Sequence, residues 1–162
     1  MMDIYTIGAD VLRAPTKNID EFDSNYKQLL ESMFDTMRMG RGVGLAAPQV
    51  GLSKRLFIVQ LEGDKPRVFA NPEIISTSLE LSSFEEGCLS IPGVYADLDR
   101  PEAIRIQAWN ERGRPFTMEA EGFLARVIQH EMDHLDGVLF TDRLPEIIRT
   151  KLLKQYEKRM RA

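Results

Sequence analysis

The sequence predicts an α+β fold in which antiparallel or mixed strands pack around a central metal-binding helix, with one further helix towards each terminus. Three observations predict it: a segment of helical apolar spacing near the start, β-branched and aromatic segments through the middle, and two helical segments at the end. Strands and helices that are segregated along the chain are typical of this class. A length of 162 residues is ordinary for one domain, so we expect a single domain over 1–162.

The first predicted helix covers Ser24 to Gly40, where apolar residues recur every three or four positions before two glycines end the pattern. The stretch GRGVGLAAPQVG follows, from Gly40 to Gly51. It has no Lys-Ser/Thr pair for a phosphate loop, so a tight turn is the plain interpretation. Its small residues also permit close backbone approach, and the amide of Gln49 can donate a hydrogen bond to a developing oxyanion.

The strands are predicted by three segments rich in β-branched and aromatic residues, namely RLFIVQL, RVFANPEIIS and EAIRIQAWN. In the third segment Ile104 and Ile106 alternate with Arg105 and Gln107, which is typical of a half-buried strand. The turn residues NERGR then lead into PFTMEAEG. We therefore expect a hairpin between these last two segments.

Two helices are expected to complete the fold. One covers about Gly122 to Leu135 and is closed by Gly137, and the other covers about 145–160, with Pro145 suited to a first helical position. The stretch from Arg149 to Ala162 holds six lysines and arginines and a single acid. Such a basic helix is either a solvated face or a surface for a polyanion.

Composition limits the partners and the compartment. A formal charge of −4 and a pI near 5.3 give no general attraction to nucleic acid, so specific DNA binding is not expected. No apolar run approaches the roughly 20 residues that cross a bilayer, so no membrane association is expected. The N-terminal segment has no secretion pattern, and the single cysteine is compatible with a reducing compartment. The sequence therefore predicts a cytoplasmic protein.

The stretch QHEMDHLDG carries the chemistry of the predicted central helix. His130 and His134 stand one helical turn apart, so both imidazoles face the same side, as metal ligands do. The line Phe123, Val127, His130 and His134 and the adjacent line Leu124, Ile128, Glu131 and Leu135 form one buried stripe, with Gln129, Asp133 and Asp136 opposite. A buried Glu131 needs compensation, which a metal with bound water would supply.

Two histidines alone do not make a metal site, and the residues leave several sources for a third ligand. A zinc protease would use a downstream residue, but only Glu146 and Glu157 are available. The alternative is Cys88 in EEGCLSIPG, which we interpret as an irregular strand or loop. A lone cysteine is more often a small apolar residue, and the histidines can also simply form hydrogen bonds. A thiolate with two imidazoles would leave a fourth position for water.

Taken together, GVGLAAPQ, EGCLS and QHEMDH resemble the peptide deformylase family in residues, order and spacing. The resemblance extends from GADVLRAP at Gly8 to GVLFTDRL at Leu144. The functional positions of the three motifs match without substitution. The chain departs from the family's more constant segments in VYADLDRPE, which leaves contacts to the peptide there open.

The resemblance implies a metal-dependent hydrolase that removes the formyl group from N-formylmethionyl nascent peptides. It implies one Fe²⁺ per chain, replaceable by Zn²⁺, Ni²⁺ or Co²⁺, with metal-bound water as nucleophile. The implied site comprises ligands Cys88, His130 and His134, the acid/base Glu131, the oxyanion donors Gln49 and Leu89 N–H, the substrate-binding Gly44, and the supporting pair Glu86 and Arg100. From their positions, Val43, Phe123 and Val127 are expected to wall the methionine pocket.

Two other classes are kept beside this one. A zinc endopeptidase would need a downstream ligand and an open cleft, and the shortage of such ligands disfavours it. A non-catalytic metal-binding or ribosome-associated module would have no need of Glu131 or Gln49. Ribosome association of the enzyme itself is a separate hypothesis, based on the basic terminal helix and the RNA phosphate that surrounds a nascent chain.

Overall fold

The computed structural model describes residues 2–161, so Met1 and Ala162, which belong to the predicted domain and to the quoted terminal stretch, lie outside the described residues. Residues 2–161 form three α-helices: α1 (Ser24–Met39), α2 (Gly122–Leu135) and α3 (Glu146–Arg161). Seven strands accompany them: β1 (Gly44–Ala46), β2 (Leu56–Val59), β3 (Arg67–Thr77), β4 (Leu81–Cys88), β5 (Ile91–Pro101), β6 (Ala103–Trp109) and β7 (Pro115–Glu121). The α+β class predicted from the sequence is confirmed.

Five strands form an antiparallel sheet in the order β1-β2-β3-β6-β7, and both wide faces of this sheet are covered. Successive residues of β2 point to opposite sides, so Leu56 and Ile58 pack in the cluster around α1, while Phe57 and Val59 pack in the cluster around α2. All four are fully buried. Strand β2 is therefore apolar on both faces, and α2 packs against one face of the main sheet.

The predicted hairpin is confirmed, because β6 and β7 pair antiparallel across the turn that follows Trp109. The first helix agrees with its prediction to within a residue, and the side chain of Asp23 caps it by accepting from the backbone N–H of Asn25 and Tyr26. The glycine-rich stretch does turn the chain, but it then supplies β1, the edge of the main sheet, which the sequence did not suggest.

The second sheet differs most from expectation. The segment around Cys88 was expected to be an irregular strand or loop, and it is an irregular strand, because the register breaks between Gly87 and Cys88. The long antiparallel hairpin of β4 and β5 to which it belongs was not predicted. Two of its inward-facing residues, Glu86 and Arg100, are charged and buried. Their charge hides the alternation that marks a strand, because a sequence pattern counts both residues as solvent-facing.

The central helix is buried more completely than one stripe predicts. Gln129 and Asp133, expected on the face opposite the histidines, are 6% and 8% exposed. Gln129 Nε2 donates to the carbonyl of Pro101, and Asp133 forms ion pairs with two arginines. Phe123 was expected within the buried stripe but is 44% exposed. The reason is that the β4–β5 hairpin and the chain after α2 cover the helix from the sides, while its first turn stays open.

The terminal helix packs on a third apolar cluster formed by β5 and the chain between α2 and α3. Tyr156 is buried there and Leu152 is partly buried against it, as predicted, whereas Leu153 is only half-buried. Among residues 2–161, no helix combines the length and apolarity that crossing a bilayer requires.

Candidate active site

The three predicted metal ligands come together although the chain separates them. Cys88 ends β4, just after the break in register, and His130 and His134 lie one turn apart on α2. Their ligand atoms all lie within 4.8 Å of one another, and Cys88 Sγ is 3.3 Å from His134 Nε2. The β4–β5 hairpin therefore delivers a sulfur atom to the face of the helix that carries both imidazoles.

The hydrogen bonding and the donor atoms of these residues fit a divalent metal. His130 Nδ1 lies 2.9 Å from Glu86 Oε1, and an ionised carboxylate only accepts, so Nδ1 carries a proton and Nε2 is left as the ligand atom. Beside the trio, Glu131 Oε1 is buried and has no hydrogen-bond partner among the described residues. One sulfur and two imidazole nitrogens form a donor set that suits zinc or ferrous iron.

The two histidines differ in electrostatic surroundings. Burial lowers the pKa of His134 well below its ordinary value. Burial also acts to lower the pKa of His130, but hydrogen bonds with Cys88 and Glu86 outweigh it, so the pKa of His130 is raised. A neutral His134 is ready to bind a metal, whereas ligation by His130 releases a proton.

Glu131 is 4% exposed and approaches the backbone of β1 closely. A Cβ atom on Gly44 would lie 2.5 Å from Glu131 Oε2, closer than any side chain tolerates, so this position requires glycine for space. Burial is the main cause that raises the pKa of Glu131, to about 7. A carboxyl group with that pKa can both take up and give back a proton near neutral pH.

Glu86 lies on the other side of His130 in a saturated network. Its Oε2 accepts from Arg100 Nε at 2.6 Å and from Arg126 Nη1 at 2.7 Å, and its Oε1 accepts from Arg100 Nη2 at 3.0 Å. Burial acts to raise the pKa of Glu86, but the hydrogen bonds from His130 and Arg100 prevail and lower it to about 2. The structure thus brings together the predicted pair of Glu86 and Arg100, and both residues are buried.

Sequence reasoning missed three members of this network. Arg126 donates to Glu86 and to the carbonyls of Ser82 and Leu98, and Asp133 bridges Arg100 and Arg143. The available signal was an arginine at position 126 inside the apolar part of α2, since a buried charge needs a partner.

Gln49 is 1% exposed and its amide is held in one orientation. Its Oε1 accepts from Ala46 N at 2.9 Å, while Nε2 donates to Ser90 Oγ at 3.1 Å and lies 3.6 Å from Cys88 Sγ. One N–H of the amide therefore points towards the trio, as a donor to an oxyanion must, and the other points to Ser90. Ser90, which helps to set this orientation, was not predicted.

A cavity of about 540 Å³ opens over these residues. Its wall includes all four residues predicted to bind substrate, and the lining near the trio contains Val43, Gly44, Gln49, Glu86, Cys88, Leu89, Phe123, Arg126, Val127, His130 and Glu131. His134 and Arg100 lie behind this wall and do not line the cavity. The predicted residues thus divide into a group that a ligand can touch and a group that supports it.

Comparison with known proteins agrees with this site. Residues 1–150 match the family model described as polypeptide deformylase. The chain is similar to the peptide deformylase of Borreliella burgdorferi, 53% identical over 96% of this chain and 94% of that protein, and to peptide deformylase 1 of Bacillus subtilis, 49% identical over 87% and 88%.

Solved structures give the same answer for the fold. The crystal structure of a peptide deformylase from Legionella pneumophila superposes with a TM-score of 0.94 at 40% identity, over 99% of this chain and 96% of that one. The structure from Synechococcus elongatus in complex with actinonin gives 0.92 at 44% identity, over 96% and 86%. The resemblance drawn from three short motifs is confirmed over nearly the whole length, and the chain belongs to the polypeptide deformylase family.

Proposed function

We propose that this protein hydrolyses the formyl amide of N-terminal formylmethionine on newly made polypeptides, releasing formate and a free amino terminus. The observation that carries the proposal is Glu131, a buried carboxyl group with an unpartnered oxygen beside a cysteine and two histidines. A structural carboxylate in that position would be paired. Membership of the family supplies the substrate class.

Cys88, His130 and His134 are the residues that would hold the metal. We propose ferrous iron as the native ion, with Zn²⁺, Ni²⁺ or Co²⁺ able to replace it, because the sulfur and nitrogen donors suit all four. A divalent metal bound there supplies Lewis acidity, which makes water a stronger nucleophile at neutral pH. Glu86 orients His130 and leaves its Nε2 towards Cys88, and Arg100 holds Glu86 in place.

The chain's own groups account for the proton transfers and the charge. Glu131 accepts a proton from the attacking water, and the water oxygen bonds to the formyl carbon. Gln49 Nε2 and the Leu89 N–H donate to the carbonyl oxygen as it gains negative charge. Glu131 then returns the proton to the amine nitrogen as the C–N bond breaks, so that formate and the amine leave. Val43, Gly44, Phe123 and Val127 line the cavity that would receive the methionine.

The direct test is formate release from formyl-Met-Ala-Ser by protein purified without oxygen, together with metal analysis. We expect turnover with about one iron per chain, and Cys88→Ala should lose both. Cys88→Asp replaces sulfur by an oxygen anion and should shift preference towards harder ions. Absence of formate release by the iron-loaded wild type would contradict the function, and full metal content in Cys88→Ala would contradict the ligand set.

We also propose that the chain is one catalytic domain over 1–162 and that it works in the cytoplasm.

A separate proposal is that α3 holds the enzyme near the ribosome. Lys154, Lys158 and Arg161 are exposed on that helix and could replace counterions on RNA. Changing all three to glutamate should weaken ribosome binding steeply and in a salt-dependent way. Turnover of a short formyl peptide should be unchanged. Equal ribosome binding by the wild type and the triple variant at low salt would show that α3 has only a structural role.

A further inference from the structure

The basic terminal helix makes one contact that reaches the wall of the active-site cavity. Arg159 Nη2 donates to the carbonyl of Pro92 at 2.5 Å, and Nη1 donates to the carbonyl of Gly93 at 3.4 Å. Pro92 and Gly93 both line the cavity described above. Arg159 itself does not line it, so its influence on a bound peptide would pass through these two residues.

The packing between the guanidinium and this wall is close. Gly93 has φ of +77°, a left-handed conformation that favours glycine. A Cβ atom there would lie 2.6 Å from Arg159 Nη1, so a larger residue would force the guanidinium to leave its present position. The backbone at Gly93 and the side chain of Arg159 are thus fitted to each other.

The wall has little other support at this point. The flanking Ile91 and Val94 are 0% and 4% exposed and belong to the third apolar cluster, whereas Pro92 and Gly93 between them are exposed. Among the described residues, no other side chain forms a hydrogen bond with the carbonyls of Pro92 and Gly93. Core packing therefore holds the residues on both sides of this short segment, and Arg159 supplies the side-chain hydrogen bonds to the segment itself.

We propose that Arg159 is a positioning residue for substrate: it holds the Pro92–Gly93 segment in the shape that receives the peptide. This proposal rests on the proposed function for its substrate, a formylated peptide. Cys88 and Gln49 are held by contacts that do not involve Arg159, so the reacting groups keep their geometry without it. Loss of Arg159 should therefore weaken peptide binding and leave the chemical step intact.

The kinetic test compares Arg159→Ala with Arg159→Lys and with Lys151→Ala, which removes an exposed cation from the same helix. With formyl-Met-Ala-Ser, Arg159→Ala should raise KM by about threefold to tenfold, the range of a modest indirect coupling, with kcat within about twofold. Lysine can donate to one carbonyl but lacks the planar fork, so it should restore part of the loss. Lys151→Ala should behave as wild type. An unchanged KM in Arg159→Ala, or an equal rise in Lys151→Ala, overturns the proposal.

A double-mutant cycle distinguishes the proposed coupling between Arg159 and Gly93 from a general structural effect on KM. Gly93→Ala carries strain at its left-handed backbone in any background, but its clash with the guanidinium exists only when Arg159 is present. Its KM effect should thus be smaller in the Arg159→Ala background, and strictly additive effects would contradict the coupling. Faster hydrogen exchange at Gly93 and Val94 in Arg159→Ala is expected independently of activity. If the wild type releases no formate, the function fails, and this exchange measurement still decides whether Arg159 fixes the wall.

Discussion

Glu86 and Glu131 are both neighbours of His130. They are buried to nearly the same degree, at 5% and 4% exposure, but their surroundings differ. Glu86 accepts hydrogen bonds from Arg100, Arg126 and His130. Burial acts to raise its pKa, but the interactions with His130 and Arg100 outweigh burial and lower the pKa to about 2. Glu131 has one oxygen with no hydrogen-bond partner within residues 2–161, and burial raises its pKa to about 7.

The contrast shows that burial alone does not decide what a carboxylate does. A carboxylate saturated with cations stays ionised and becomes a rigid support for its neighbours. A carboxyl group that is buried without such partners has a pKa raised towards neutrality, so near pH 7 it can both take up and release a proton. The β4–β5 hairpin provides the first environment and the edge strand β1 provides the second, so α2 lies between a supporting side and a reactive side.

The largest effect is expected at the reactive side. Glu131→Gln keeps shape and burial but removes the proton acceptor, so kcat should fall by at least about 100-fold, the usual scale of general acid–base catalysis. Metal content should not change, because Glu131 is not among the three ligands. Formate release combined with metal analysis measures both. Near-normal turnover would show that the two glutamates do not differ in the way described.

A second change disturbs the reactive side without touching a charge. Gly44→Ala places a methyl group 2.5 Å from Glu131 Oε2 and must displace that side chain. A shift on the order of 1 Å in a reacting group can reduce the rate by about 100-fold, so kcat should fall by about tenfold to 100-fold. Gly63→Ala is a control for the added methyl group, because Gly63 has open space around it, and its positive φ adds a backbone strain that Gly44→Ala does not have. If the two variants lose equal activity, the contact with Glu131 is unimportant.

The supporting side should respond in metal binding rather than in the chemical step. Glu86→Gln removes the charge that orients His130 and leaves two buried arginines with a weaker partner. Metal affinity should fall by about tenfold to 100-fold, as for other groups that orient a ligand. Competition with a chelator gives the affinity, and the rate per bound metal should change less. A normal affinity would mean that His130 needs no support from Glu86.

The effect with the least bearing on turnover is a pair of opposite pH dependences in the metal-free protein. For Glu86 the folded pKa lies below the ordinary 4.5, so its stabilisation is complete above pH 4.5 and is lost as pH falls towards 2. For Glu131 the folded pKa lies above 4.5, so stability falls as pH rises from 4.5 to about 7. For each glutamate, the difference between its folded pKa and 4.5 corresponds to at most about 3 kcal/mol in the free energy of unfolding.

Denaturation with urea across pH 2 to 8 checks these slopes. Glu86→Gln should flatten the acid limb, and Glu131→Gln should flatten the limb between pH 4.5 and 7. Parallel curves for both variants and the wild type would contradict the assigned difference between the two carboxylates.

The sequence by itself was sufficient for much of the fold and for the chemistry-bearing residues. The helical spacing of α1 and α2, the β6–β7 hairpin and the spacing of His130 and His134 are local patterns, and local patterns are visible in a chain read alone. Cys88 was a candidate because the chain offers so few soft ligands. Where local pattern and final structure disagree, as at Phe123 and Gln129, distant elements decided the burial.

Only the tertiary structure decided how the two glutamates differ. Glu86 meets Arg126, 40 residues away, because β4 packs across α2, and Glu131 meets Gly44 because β1 passes beside the helix. The same holds for Arg159, which reaches Gly93 over a separation of 66 residues. A pKa depends on the charges and the solvent within a few ångströms of a group, and those neighbours are set by packing between elements that the order of residues does not place together.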